Sequence, residues 1–115
     1  MQTNYRVADL QVGGNVIVVT ATAADNGGLT IHDLSYGRAA DLFYGEGRDV
    51  EVWLELGPDS VATLATHFFG AAVENPADEV SKLLASLYQD DSRALSKIQQ
   101  MLDELQIKYK KEMWT

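Results

Sequence analysis

Cysteine is absent from the 115 residues, which excludes disulfides, thiol nucleophiles and cysteine-ligated zinc together. Basic residues are scarce: nine Lys and Arg stand against seventeen Asp and Glu, a formal charge of −8. Nucleic acids and anionic membranes are gripped through positive patches, so neither is an expected partner. Apolar runs fall far short of the ~18 residues a membrane span needs. The opening Met1-Gln2-Thr3-Asn4-Tyr5-Arg6 lacks the basic start and apolar stretch of a secretory signal. A cytoplasmic protein is the expectation. Histidine occurs twice, as His32 and His67, in no HExxH or i, i+4 pairing with a carboxylate of the kind zinc sites use.

What is present reads as one α+β domain spanning residues 1–115, since chains of this size commonly form a single core. β-Branched and aromatic residues alternate with polar ones up to Gly57. The spacing then lengthens toward 3.6. Residues 6–12 alternate Val7, Asp9 and Gln11 against Ala8, Leu10 and Val12, and Gly13-Gly14-Asn15 supplies a tight turn. Residues 16–23 set Ile17 and Val19 against Val16, Val18, Thr20 and Thr22. After the turn signal Asp25-Asn26-Gly27-Gly28, residues 29–34 form a third strand with Leu29 and Ile31 on one face. Residues 49–56 alternate most cleanly: Val50, Val52, Leu54 and Leu56 share one face, and Asp49, Glu51, Trp53 and Glu55 the other.

Gly57-Pro58-Asp59-Ser60 opens a first helix with Val61, Leu64, Ala65 and Phe68 as its stripe, stopped at Gly70. Asn75-Pro76 opens a second, capped by Asn75 and lined by Val80, Leu83, Leu84 and Leu87, with Asp78 and Glu79 at the positive end of its dipole. Asp91 or Ser92 caps a third, lined by Leu95, Ile98, Leu102 and Leu105. Residues 107–114 read as a last strand. The expected architecture is therefore an antiparallel meander of about four strands, about three helices on one sheet face, and a short C-terminal strand. Residues 38–47 are the least decided stretch.

Between residues 41 and 59 there are six acids and one basic residue, Arg48. Asp49, Glu51 and Glu55 project from one strand face, with Trp53 among them and Asp41 and Glu46 upstream. Carboxylates on a straight strand diverge too far to chelate a metal, and no D-x-D-x-D-G loop closes around them. The plain alternative is a solvated sheet face; the sharper one is a protein-binding surface anchored by Trp53, because Trp concentrates at interface hot spots. Trp53 is equally open to being covered by a helix or by the C-terminal segment. His32 and Asp33, as successive strand residues, point to opposite faces and so cannot serve as a base and its orienter. His67 reads as an ordinary half-buried or capping histidine. The glycines around Tyr36-Gly37-Arg38 and Tyr44 to Arg48 precede a strand rather than a helix, so they do not form a phosphate loop. Residues 81–115 carry six basic residues against five acids, and Lys108, Lys110 and Lys111 form a strip expected to offset a neighbouring acidic strand by cross-strand pairing.

The stretch Tyr44-Gly45-Glu46-Gly47-Arg48-Asp49-Val50-Glu51-Val52-Trp53-Leu54-Glu55-Leu56, a Leu-rich helical pair after it, and the closing Leu95-Ser96-Lys97-Ile98 through Tyr109 make a layout that resembles small acidic bacterial α+β proteins. Among these are immunity proteins of contact-dependent growth-inhibition and related toxin systems. The likeness covers residues 36–115 and is one of layout, with no catalytic residue to carry over. It implies a cytosolic, non-enzymatic protein that neutralises a toxin, often a basic nuclease, without a cofactor. On that reading Asp49, Glu51 and Glu55 make electrostatic contacts, Trp53 is the apolar anchor, and Asp41, Tyr44 and Glu46 sit at the rim. Two other readings stand beside it. One is a structural or regulatory homodimer formed through the Trp53 face or an open edge strand. The other is a small-ligand protein or enzyme using His32 and the region from Tyr36 to Arg48.

Overall fold

The computed structural model describes residues 2–12, 14–37 and 50–114. Five strands form one antiparallel sheet in chain order: β1 (Thr3–Val12), β2 (Asn15–Ala23), β3 (Leu29–Gly37), β4 (Val50–Leu56) and β5 (Lys110–Trp114). Three helices, α1 (Pro58–Phe69), α2 (Pro76–Leu87) and α3 (Ala94–Glu104), lie between β4 and β5 in sequence. The chain thus leaves the sheet at β4, builds a helical layer, and returns beside the strand it left. This is the expected α+β layout. No helix among the described residues is long and apolar enough to cross a membrane.

One sheet face is the core face. Val19, Ala21, Ala23, Leu29, Ile31, Leu54 and Leu56 are all buried there, matched by Val61 and Leu64 of α1, Val80 and Leu84 of α2, and Leu95, Ile98 and Leu102 of α3. Each fully buried Leu or Ile contributes roughly 2–3 kcal/mol by leaving water. Small residues at the contacts, such as Ala21, Ala65, Ala77 and Ala94, let helix and sheet backbones approach closely. α2 lies over β1 and β2, α1 beside α2 and β4, and α3 against β3.

The first strand departs from the expected alternation. Its register shifts between Arg6 and Ala8, and Val7 and Ala8 are both buried. A bulge inserts one residue, so the core face is carried by Tyr5 and Val7 before it and by Ala8 and Leu10 after it. Only this bulge lets ten residues keep their apolar side on the core, since a sequence read as strict alternation puts Val7 and Ala8 on opposite faces.

The helix ends correct several finer expectations. Gly70 stops α1 as expected, with φ 74° and its N–H bonded to Thr66 O at 2.8 Å. Asn75 does precede α2, but as a left-handed residue (φ 50°) whose side chain makes no cap bond. Leu87, expected on the buried stripe of α2, is 56% exposed; Ser81 takes a buried place instead, its hydroxyl donating to Ala77 O at 2.7 Å. The residue before α3 is Arg93, not Asp91 or Ser92. Asp91 organises the entrance nonetheless: its Oδ1 accepts the Arg93 N–H at 2.8 Å and its Oδ2 pairs with Lys97.

The last strand is shorter than expected, beginning at Lys110 rather than residue 107. The intervening residues terminate α3. Gln106 is left-handed (φ 58°), its N–H bonds Asp103 O, and the Ile107 N–H bonds Leu102 O at 2.9 Å. This is a Schellman closure, whose characteristic apolar contact falls to buried Ile107.

Candidate functional site

The helices occupy one sheet face, so surface chemistry concentrates on the other. The pairing registers fix its layout in rows across the strands. One row runs Asp9, Val18, Leu34, Glu51, Trp114; the next runs Arg6, Thr20, His32, Trp53, Glu112; a third runs Asn4, Thr22, Thr30, Glu55, Lys110. Acids and aromatics gather at the β3–β5 side, whereas hydroxyls and the Arg6–Asp9 ion pair (2.7 Å) occupy the β1–β2 side.

Of the residues expected at the surface, Glu51, Trp53 and Glu55 lie together on this face. Asp41, Tyr44, Glu46 and Asp49 fall outside the described residues. Trp53 is half-buried and Glu55 exposed. His32 stands directly across from Trp53, ring centroids 5.0 Å apart and planes within 13° of parallel. Its Nε2 lies 3.1 Å from Glu51 Oε1. A carboxylate only accepts, so the bond is made by an Nε2–H. His32 therefore supports the acidic strand: one side chain backs the indole and orients the carboxylate beside it. No local pattern shows this, because β3 and β4 are separated by residues 38–49 and only the register joins His32 to residues 51 and 53.

His32 and Asp33 do point to opposite faces. Asp33 turns to the helix side, between Val19 and Val52 in the register. Burial pushes its carboxyl above the ordinary value, an effect opposed by the Ser35 hydroxyl donating to it at 2.7 Å and by nearby His32. His67 is exposed rather than half-buried, edge-on to Phe68 in the last turn of α1.

The strip of lysines divides. Lys110 stands opposite Glu55 on the open face, as cross-strand neutralisation requires, while Lys111 points to the helix side opposite Leu54. Lys108 precedes the strand. Lys110 also bonds Glu112 on its own strand at 3.0 Å, and that bond, with Glu112 and then Glu55 as nearby charges, raises its ammonium above the ordinary value. Trp114 closes the patch opposite Glu51, 62% exposed. The C-terminal Trp and Glu112 were not among the residues expected at the site. Nothing in their local sequence aligns them with Glu51 and Trp53.

At the end of the face, a cleft of about 360 Å³ is lined by Asn26, Thr30, Glu55 and Lys110 beside the β2–β3 turn. It is open to solvent, and its ammonium, Lys110, pairs with Glu112 rather than with the Glu55 carboxylate that stands opposite it. Among the described residues, no three His, Asp or Glu side chains gather as a metal would need. The open face thus gathers two indoles and three carboxylates on β4 and β5. No protein-family model, no curated protein and no solved structure matches the chain.

Proposed function

We propose that this chain is a non-enzymatic binder of a basic protein, most concretely a cytoplasmic immunity protein that neutralises a cognate toxin of nuclease type. The contact surface is the open sheet face between β3 and β5. The observation that carries the reading is the convergence of Glu51, Glu55 and Glu112 with Trp53 and Trp114 on one side of a sheet whose other side is filled by helices. Trp supplies a large anchoring area at small entropic cost, and the carboxylates provide complementarity to a basic partner and accelerate encounter. A net charge of −8 extends that attraction beyond contact distance.

The test is affinity capture from native lysate at low and moderate salt, with mass spectrometry of what is retained. Wild type is compared with a Glu51→Lys, Trp53→Ala double variant shown by circular dichroism to be folded. The expected result is a basic protein held by wild type, lost by the variant, whose nuclease activity this chain suppresses. Equal retention by both baits would place the contact elsewhere.

A second reading is favoured by one feature: β5 is an edge strand, exposed at all five residues, and open edges pair with copies of themselves. A two-fold register centred on Glu112 sets like charges opposite each other, which opposes it. A sedimentation mass of 12.6 kDa at high concentration removes this reading.

A further inference from the structure

On β4 and β5 the open face forms a square of four side chains. Trp53 stands opposite Glu112, and Glu51 stands opposite Trp114, two residues along. The two indoles occupy one diagonal and the two carboxylates the other. We infer that this square receives an arginine side chain of the partner, an inference that rests on the proposed binding of a basic protein.

Three observations converge on a guanidinium. The first is the direction of the Trp53 ring. His32 stacks on its β3 side at a separation of 5.0 Å and 13° from parallel, close to the spacing of adjacent strands. The opposite face of the indole is therefore turned toward β5 and the carboxylate of Glu112. A planar cation stacks on such a face and is drawn by its quadrupole. The second is charge: Glu51 and Glu112 are two corners of the square and Glu55 lies beside it, with Lys110 as the single lysine of this corner. The third is the state of that lysine. Lys110 Nζ lies 3.0 Å from Glu112 Oε1, but the two side chains are 70% and 51% exposed. Ion pairs this wet are weak and displaceable. A guanidinium forks onto a carboxylate with two parallel N–H groups and sheds water more readily than an ammonium, so it replaces Lys110 at Glu112.

Only two tryptophans are present, so the indole N–H resonances of the full chain report the square directly, assigned with Trp53→Phe and Trp114→Phe. The probe is N-acetyl-arginine methylamide, titrated at constant ionic strength. The lysine and citrulline analogues serve as the charged-but-not-planar and planar-but-uncharged arms. Arginine is expected to move both indole signals along one saturable curve, lysine more weakly, and citrulline not at all. Glu51→Gln with Glu112→Gln should weaken arginine at least about threefold, and Lys110→Gln should strengthen it by roughly the same factor. Equal arginine and citrulline responses, equal arginine and lysine responses, or movement of one indole alone would each overturn the assignment. The failure of the underlying reading is separable. A partner captured through this face whose retention survives Glu112→Gln and Trp114→Ala keeps the protein-binding reading and removes the arginine receptor. A saturable arginine site in a chain that retains no partner does the reverse.

Discussion

His32 on β3 and Trp53 on β4 are register partners whose rings lie 5.0 Å apart and nearly parallel, and Glu51, two residues from Trp53, bonds the same imidazole. His32 thus holds an indole and a carboxylate in fixed relation, which on the proposed binding reading lowers the cost of ordering those side chains at the moment of contact.

Removing His32 tests that relation without touching the proposed contact residues. His32→Ala should cost about 0.5–1.5 kcal/mol of stability, the worth of a stacked aromatic pair. Trp53 emission, followed in a Trp114→Phe background, should shift to the red as its supported face meets water. An unchanged spectrum would mean the ring does not depend on the stack.

Asp33 gives a pH-dependent prediction of definite sign. Burial raises its folded-state carboxyl above the ordinary value of 3.8, so the native state holds this proton more tightly than the unfolded chain. Its contribution is most favourable below that ordinary value and is lost as pH rises through the raised folded value. Asp33→Asn keeps an acceptor for Ser35 and removes the buried charge. Thermal unfolding should show the variant more stable than wild type at pH 7, with the difference closing as pH approaches 3.8. A constant difference across that range would contradict the assignment.

Gln106 closes α3 in the left-handed region at φ 58°, where a Cβ crowds the backbone and glycine does not. Gln106→Gly is expected to stabilise the chain by about 0.5–1 kcal/mol, the relief of that strain exceeding the added freedom of the unfolded state. A higher urea midpoint at unchanged slope is the readout; a lower midpoint would show that the glutamine side chain contributes something the backbone argument omits.

The β2–β3 turn makes the opposite case. A Cβ added at Gly28 meets the Leu56 carbonyl oxygen and Asn26 Oδ1, each at 3.0 Å, and the Gly28 N–H already bonds that Asn26 oxygen at 2.8 Å. Gly28→Ala should therefore cost about 1–3 kcal/mol, as overpacking against a strand carbonyl does. Chemical denaturation measures it, and a neutral result would mean that β4 shifts to make room.

Much of this architecture is legible in local sequence. Val50, Val52, Leu54 and Leu56 against Glu51, Trp53 and Glu55 define a half-buried strand because side chains alternate with period two. The stripes through Val61–Leu64 and Ile98–Leu102 define helices because burial recurs at 3.6. Where the structure departs from the local pattern, a tertiary contact outweighs it. Val7 and Ala8 both enter the core because a bulge is set by the partner strand. Leu87, the last residue of α2, is exposed while Ser81 is buried, and the C-terminal strand starts late because Ile107 is claimed by the end of α3.

The candidate site divides along the same line. The sequence by itself determined that Glu51, Trp53 and Glu55 share a strand face opposite the core, since that follows from alternation within one segment. Only the tertiary structure decided that His32 backs Trp53, that Glu112 and Trp114 complete the patch, and that Lys110 alone of the three C-terminal lysines faces it. Those relations join residues 21 to 63 positions apart through strand register, and register is set by packing across the whole sheet, which no local pattern encodes.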